Sequence, residues 1–241
     1  VRDEENPIRP LAFGFPKEDD LSEILFTTGT TGKSKGIEVT CGCNIAIAQS
    51  VMDSVQIGKD EVELITTPIN HSLAIRRTYG AIYNGSSLVL TDGIKFVEDF
   101  FKILDTYKIT AITFVPAILE QVLKFAKDRF ASYKNQLNYI QLGSAPLSEN
   151  NKKILTQMFP DTRLYNTYGA TESGCTVILE FSKYGDKQKC IGRTTVNTEI
   201  LFVDESRNPV EASPENPAIL AFRGKMHMKG YYKEPQITAE V

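Results

Sequence analysis

Short apolar runs alternate along this chain with longer stretches in which apolar residues recur at three and four positions. Glu23–Thr27, with Ile24, Leu25 and Phe26, reads as a strand, and Ile37–Thr40 as a second. Asn44 is placed to cap a helix to about Val55, whose Ile45, Ala48, Met52 and Val55 share a face. Glu63–Thr67 is a strand stopped by Pro68, Ser72–Tyr83 a helix and Ser87–Leu90 a strand. Phe96–Tyr107 is a helix with Phe96, Phe100, Ile103, Leu104 and Tyr107 on one side. Ala111–Val115 is a strand stopped by Pro116, and Ala117–Phe130 a helix burying Ile118, Val122, Phe125 and Ala126. Leu137–Leu142 is a strand, Ser148 caps a helix to about Met158, and Arg163–Tyr168 is a further strand.

This rhythm predicts an α/β fold, a mostly parallel sheet covered by helices over residues 21–174. Residues 1–20, with Pro7, Pro10 and Pro16, read as a lead-in segment. After residue 174 the helical period stops, and Thr176–Phe181, Thr198–Val203 and Ala218–Arg223 are strand-like, so residues 175–241 read as a smaller β-rich subdomain.

Composition narrows the chemistry. The 241 residues carry 27 basic and 30 acidic side chains, a net charge of -3, spread without a basic arm or acidic tail. That balance gives no electrostatic reason to expect nucleic acid or an anionic membrane as partner. Cys41, Cys43, Cys175 and Cys190 are unevenly spaced, and the only histidines are His71 and His227, so reduced thiols of a cytoplasmic protein are expected rather than a metal site. No apolar run reaches the roughly 18 residues of a membrane span. The chain opens on Val1 and stops at Val241, and both ends read as cut edges.

The segment Thr27-Thr28-Gly29-Thr30-Thr31-Gly32-Lys33-Ser34-Lys35-Gly36 holds no apolar residue. Its glycines let consecutive N–H groups point inward as an anion nest, its hydroxyls add donors, and its lysines add positive charge. A triphosphate suits it. Gly32-Lys33-Ser34 resembles the end of a Walker A loop, but Thr27 stands where that loop needs glycine, and Ile37, Val39 and Thr40 favour a strand where it needs a helix. A P-loop kinase is therefore disfavoured.

Three more polar islands follow expected strands, where ligands bind in open α/β sheets. In Pro68-Ile69-Asn70-His71-Ser72, His71 either caps the next helix or lines a substrate pocket. Gly143-Ser144-Ala145-Pro146-Leu147-Ser148 is either a turn ending in a cap or a close-approach surface for a base or chain. In Asn166-Thr167-Tyr168-Gly169-Ala170-Thr171-Glu172, Tyr168 can stack on a base, Thr171 can donate to a phosphate and Glu172 can hold Mg²⁺; a solvated turn is the plainer reading.

Together these segments resemble those of the adenylate-forming enzymes: acyl- and aryl-CoA synthetases, luciferases and the adenylation domains of peptide synthetases. Phe26–Gly36 is similar to their phosphate loop, with Phe26 where tyrosine is common and Ser34 where proline is common. Tyr168-Gly169-Ala170-Thr171-Glu172 matches their second signature, Gly143–Leu147 resembles the adenine-side segment, and Ile191-Gly192-Arg193 and Met228–Tyr232 match weaker elements.

The resemblance implies that Thr27, Thr28, Gly29, Thr30, Thr31, Gly32 and Lys33 hold the β- and γ-phosphates of ATP. It implies adenine between Tyr168 and Gly143, Ser144, Ala145 and Pro146, with Asn166, Thr167, Gly169 and Ala170 around the nucleotide. Thr171 would meet the α-phosphate, Glu172 would bind Mg²⁺, and His71 would stand between nucleotide and acyl pocket, with Gly143 and Ser144 along the acyl group. The catalytic set expected on this basis is Lys33, His71, Thr171 and Glu172. The implied reaction joins a carboxylic acid to ATP as an acyl-adenylate, releases pyrophosphate, and passes the acyl group to a thiol, CoA being the expected acceptor.

The family completes its site with an Asp beyond the Gly-Tyr-Tyr element and a lysine on a small C-terminal domain, so the chain reads as a piece of such an enzyme, nearly inactive by itself. No acid stands near His71 to pair a substrate ammonium, and Arg76 and Arg77 lie close by, which favours a fatty or aryl acid over an amino acid. An amino-acid adenylation domain and a non-catalytic nucleotide-binding module remain as alternatives.

Overall fold

The computed structural model describes residues 14–28, 34–185, 187 and 189–241. Strands β1 (Leu21–Thr28) and β2 (Ser34–Thr40) form an antiparallel hairpin in which Thr27 pairs with Lys35 and Thr28 with Ser34. The polar segment of the hairpin is therefore shorter than the sequence suggests, because Thr27, Thr28, Ser34, Lys35 and Gly36 belong to the ladder. Its tip, Gly29, Thr30, Thr31, Gly32 and Lys33, lies outside the described residues. Helix α1 (Cys41–Val55) follows without a loop.

The chain then alternates: β3 (Val62–Ile65), α2 (Ser72–Asn84), β4 (Ser87–Leu90), α3 (Val97–Tyr107), β5 (Ala111–Phe114), α4 (Pro116–Ala131), β6 (Tyr139–Leu142), α5 (Glu149–Met158) and β7 (Arg163–Ala170). Strands β8 (Gly174–Glu180) and β9 (Arg193–Thr194) complete a seven-stranded sheet in the order β4-β3-β5-β6-β7-β8-β9. Pairing is parallel from β4 to β7 and antiparallel at β8 and β9. The loss of helical period after residue 174 thus marks a change from parallel to antiparallel pairing within one sheet. Beyond it, β10 (Thr198–Val203) and β11 (Ile219–Gly224) form a two-stranded sheet. The short β12 (Gly230–Tyr231), followed by α6 (Pro235–Ala239), returns to pair with β2. The protein is an α/β fold, a mostly parallel helix-covered sheet followed by a smaller β-rich region.

Period-two alternation separates two cores. One face of the sheet presents Leu64, Ile112, Phe114, Ile140, Leu142 and Leu164 to Phe100, Phe101 and Leu104 of α3 and to Leu119, Val122 and Phe130 of α4. The other presents Ala111, Tyr139, Tyr165 and Ile178 to Ile47, Val51 and Val55 of α1. Both β5 and β6 are buried along their whole length, as covering on both faces requires.

Three local expectations are corrected. The cap of α1 is Thr40, whose hydroxyl accepts from the Cys43 N–H at 3.2 Å, because β2 ends in extended backbone there. Asn44 lies inside the helix and donates to Ser22 and Glu23. In α3 the capping Phe96 is 70% exposed and Tyr107 is also exposed; Phe101 faces inward with Phe100 and Leu104 and stacks on Tyr133 at 5.7 Å. In α4 the buried residues are Pro116, Leu119, Val122 and Phe130, while Phe125 is 67% exposed. Ala126, at φ -151° and ψ 37°, breaks the helical progression, so one apolar stripe does not run through the element. Ser148 caps α5 as expected, accepting from Asn151 N at 3.1 Å.

Candidate active site

The segments after β3, β6 and β7 converge on a cavity of about 210 Å³. His71, Ser144, Thr167, Tyr168, Gly169, Ala170 and Thr171 all line it, together with Arg76 and Arg77 of α2. The adjacency of β6 and β7 brings the second and third polar islands side by side. Ala145 and Pro146 are exposed on the turn after β6.

Backbone detail explains the small residues. A Cβ on Gly143 would stand 2.6 Å from the Thr167 hydroxyl, which donates to Leu142 O. Ser144 takes a left-handed backbone at φ 68°, a conformation that turns the chain sharply after β6. At Gly169 the β7–β8 ladder shifts register, and a Cβ there would meet Gly174 O at 1.9 Å. Only glycine permits that approach. The Asn166 Oδ1 is a buried acceptor without a partner among the described residues. Tyr168 is exposed, its ring 6.0 Å from that of Phe222.

The Ala170–Glu172 segment is braced from two directions. From α2, the Arg76 guanidinium donates to Ala170 O at 3.0 Å and to Thr171 O, and Ser72 Oγ accepts from Thr171 Oγ1 at 3.1 Å. From the opposite side, Met228 N donates to Glu172 O at 2.7 Å and the Tyr231 hydroxyl donates to Glu172 Oε1 at 2.9 Å. Burial, and next the hydrogen bond to Glu172, push the Tyr231 phenol up to about 12.

Tyr231 also ties Glu172 to the hairpin. It pairs with Ile37 in β2, its neighbour Tyr232 donates to Gly36 O at 2.7 Å, and Lys35 Nζ lies 5.0 Å from its ring centroid. One tyrosine therefore links the base of the Gly/Thr hairpin to the carboxylate of the second signature.

His71 is the cap of α2, its Nδ1 accepting from Leu73 N at 3.2 Å, and it also lines the cavity. His71 thus caps the helix and faces the cavity at once. Burial, and then the Arg76 charge, hold its pKa below the ordinary value. The sign follows: the unfolded chain, with a histidine near about 6.5, takes up the proton first. The cap's contribution is complete above that value and is lost as pH falls through the lower folded one. Wild-type protein should therefore lose more stability than His71→Asn between about pH 7 and pH 5, since Asn caps without titrating. Urea unfolding at both pH values checks this; equal losses would remove His71 from the acid response.

Beneath the cavity, Arg77 is spent on an internal network. Its Nη2 donates to Glu63 Oε2 at 2.7 Å and to the Tyr139 hydroxyl at 2.7 Å, Nε donates to Glu63 Oε1 at 2.9 Å, and Nη1 donates to Gln141 Oε1 at 3.0 Å. Thr113 Oγ1 adds a donor to Glu63 Oε1 at 2.5 Å. Of the two arginines that the sequence sets close to His71, Arg77 is neutralised by Glu63. Sequence reasoning missed Ser72, Gln141, Glu63 and the bracing roles of Arg76 and Tyr231. One signal was available: Leu73, Arg76, Arg77 and Gly80 fall at the spacing of a single inward helix face.

A family profile described as AMP-binding enzyme matches residues 3–232. The chain belongs to the AMP-binding enzyme family. It is 30% identical over 231 residues to a 4-coumarate--CoA ligase-like 9 of Arabidopsis thaliana, with 92% of this chain and 40% of that protein covered. It is 28% identical over 231 residues to the polyketide synthase PksN of Bacillus subtilis (strain 168), covering 93% of this chain and 4% of that protein. This AMP-binding chain thus spans less than half the length of these relatives. Its fold is similar to that of an O-succinylbenzoate coenzyme A synthetase of Bacillus subtilis in complex with ATP and magnesium ion, with a TM-score of 0.81 and 21% identity, covering 93% of this chain and 46% of that one. No helix among the described residues is long and apolar enough to cross a membrane.

Proposed function

We propose that this AMP-binding chain forms the nucleotide and acid sites of an acid–thiol ligase, which joins a carboxylic acid to ATP as an acyl-adenylate with release of pyrophosphate and then passes the acyl group to a thiol, CoA. The observation that carries this reading is Tyr231 bridging the Gly/Thr hairpin and Glu172 beside a cavity at the ends of β6 and β7. The likeness to coenzyme A ligases supports the same acceptor.

The residues fit the groups. Tyr168, in β7, lines the cavity and offers an exposed ring on which the adenine base can stack. Mg²⁺ binds through one or two carboxylates plus phosphate oxygens and water, so the single carboxylate of Glu172, with Oε2 unbonded among the described residues, suits it. The metal would neutralise charge on the polyphosphate. The acid's carboxylate is a weak nucleophile approaching an anion, so the protein's work is placement and charge compensation. The Thr27–Lys33 segment would hold the β- and γ-phosphates, with Lys33 offsetting charge on the departing pyrophosphate. Thr171, fixed by Ser72 and Arg76, would donate near the α-phosphate, and His71 with Gly143 and Ser144 would border the acyl group.

The test is equilibrium binding of ATP to this chain with Mg²⁺ and with a chelator. Metal-dependent saturation is expected. Absence of nucleotide binding in both conditions would refute the reading.

A further inference from the structure

Helix α2 carries one more tie, away from the braces of the signature. Ser72, Arg76 and Tyr79 recur at helical spacing on one side of α2. Ser72 and Arg76 bond to Thr171 and to the Ala170 and Thr171 carbonyls. Tyr79 instead reaches β1, its hydroxyl donating to Glu23 Oε2 at 2.7 Å. Asn44 of α1 donates to Glu23 Oε1 at 3.3 Å and to Ser22 Oγ at 3.1 Å, so three elements meet on one carboxylate. Burial, and then the bond to Glu23, push the Tyr79 phenol above its ordinary pKa, so it remains a donor at neutral pH.

Glu23 sits at an irregularity of the hairpin. Leu21 pairs with Thr40 and Glu23 with Val39, so the ladder shifts register there and leaves Ser22 without a cross-strand partner. From Glu23 pairing runs unbroken to Thr28 opposite Ser34. A bulge bends its strand and raises the local twist, so side chains that fix it also fix the direction in which the rest of the hairpin projects. The helices that supply those side chains are themselves closely packed: a Cβ on Gly80 of α2 would stand 3.0 Å from Val51 Cγ1 of α1. Resting on the reading of this hairpin as the holder of the β- and γ-phosphates, we propose that Tyr79 and Glu23 are positioning residues that aim the hairpin at the outer phosphates of ATP, with α2 setting its distance from the Ala170–Thr171 backbone. Tyr231 sets the same distance from the other strand, through β2 and Glu172. The base and the α-phosphate call only on the signature, whereas the outer phosphates need hairpin and signature held together. The tie therefore bears on ATP and not on AMP.

The experiment is calorimetric titration of this chain with Mg·ATP and with AMP, in wild type, Tyr79→Phe and Glu23→Ala. Wild type should bind Mg·ATP more tightly than AMP. Each variant should lose about threefold to tenfold in affinity for Mg·ATP, the cost of ordering on binding a segment that is no longer held beforehand, while AMP affinity stays at the wild-type value. Glu23→Gln, whose amide oxygen still accepts from Tyr79, should keep most of the preference for ATP. A role confined to stability would lower the urea midpoint and leave the ratio of the two affinities unchanged. An unchanged ratio in Tyr79→Phe and Glu23→Ala overturns the proposal, as does a wild type that binds AMP as tightly as Mg·ATP. Should one of these variants fail to fold, the other removes the same bond from the opposite side and decides. The two readings fail apart: a chain that binds nucleotide but whose ATP preference ignores both substitutions keeps the ligase reading and loses this one. A chain that binds neither nucleotide loses the ligase reading, and this one with it.

Discussion

Glu172→Gln is expected to lower acid-dependent pyrophosphate release about 10²–10³-fold in a protein that carries this chain and activates an acid, the loss typical of removing one well-placed electrostatic partner. The substitution is nearly isosteric. An amide oxygen still accepts from Tyr231, and the backbone bond from Met228 N to Glu172 O is untouched, so the brace on the signature survives. What disappears is the negative charge that would attract Mg²⁺. The effect should therefore fall on metal dependence: more Mg²⁺ is required for ATP binding, while the urea midpoint stays near wild type. Tyr231→Phe separates position from charge, since it releases the carboxylate without neutralising it, and a smaller loss is expected. Normal turnover and unchanged Mg²⁺ requirement in Glu172→Gln would refute the metal role of that carboxylate.

The parts of the fold that were legible in the sequence are those governed by local rules. Pro68 and Pro116 end strands because proline cannot extend a ladder, and Pro116 then opens α4, where its missing N–H costs nothing. Ser148 was readable as a cap because it stands alone before a periodic run. At α1 two short polar residues, Thr40 and Asn44, competed. The outcome was set by the extended backbone at the end of β2, which the sequence states only weakly. Helical spacing puts Phe96 and Phe125 on the buried faces; a cap position in one case and a broken helix in the other turn them outward. Likewise, the strands after residue 174 were recognised as strands, but their return to the main sheet depends on the glycine-permitted turn between β7 and β8.

The site divides in the same way. Its signatures are contiguous and could be read directly. Its braces are not, because Arg76 reaches carbonyls 94 and 95 positions away and Tyr231 reaches Glu172 across 59. Composition and periodicity carry no record of such pairings. They arise only once parallel strand order has placed the start of α2 beside the end of β7. That is why Arg76 and Arg77, neighbours in sequence and alike in chemistry, could not be told apart beforehand, although one is neutralised by Glu63 and the other is not.

Arg77→Leu tests that distinction and should be the most destabilising single change considered. Arg77 is 1% exposed and Glu63 2%, and the guanidinium satisfies Glu63, Gln141 and Tyr139 together. Burial opposes the charge, but the Glu63 carboxylate beside it outweighs burial and holds the guanidinium firmly protonated, its pKa displaced upward. Removing the arginine leaves a buried carboxylate stripped of its charge partner, with the Thr113 hydroxyl still donating to it, at a cost of about 3–5 kcal/mol. The double variant Glu63→Leu/Arg77→Leu discriminates mechanism from mere loss of packing. A buried pair replaced by apolar groups is often neutral, yet here the acceptor on Gln141 and the hydroxyls of Tyr139 and Thr113 would lose their partners, so recovery should be partial. Urea midpoints of wild type, Arg77→Leu and the double variant measure both steps. If the double variant were no more stable than Arg77→Leu, the stranded charge of Glu63 would not be the cause, and the network would owe its stability to packing around α2 instead.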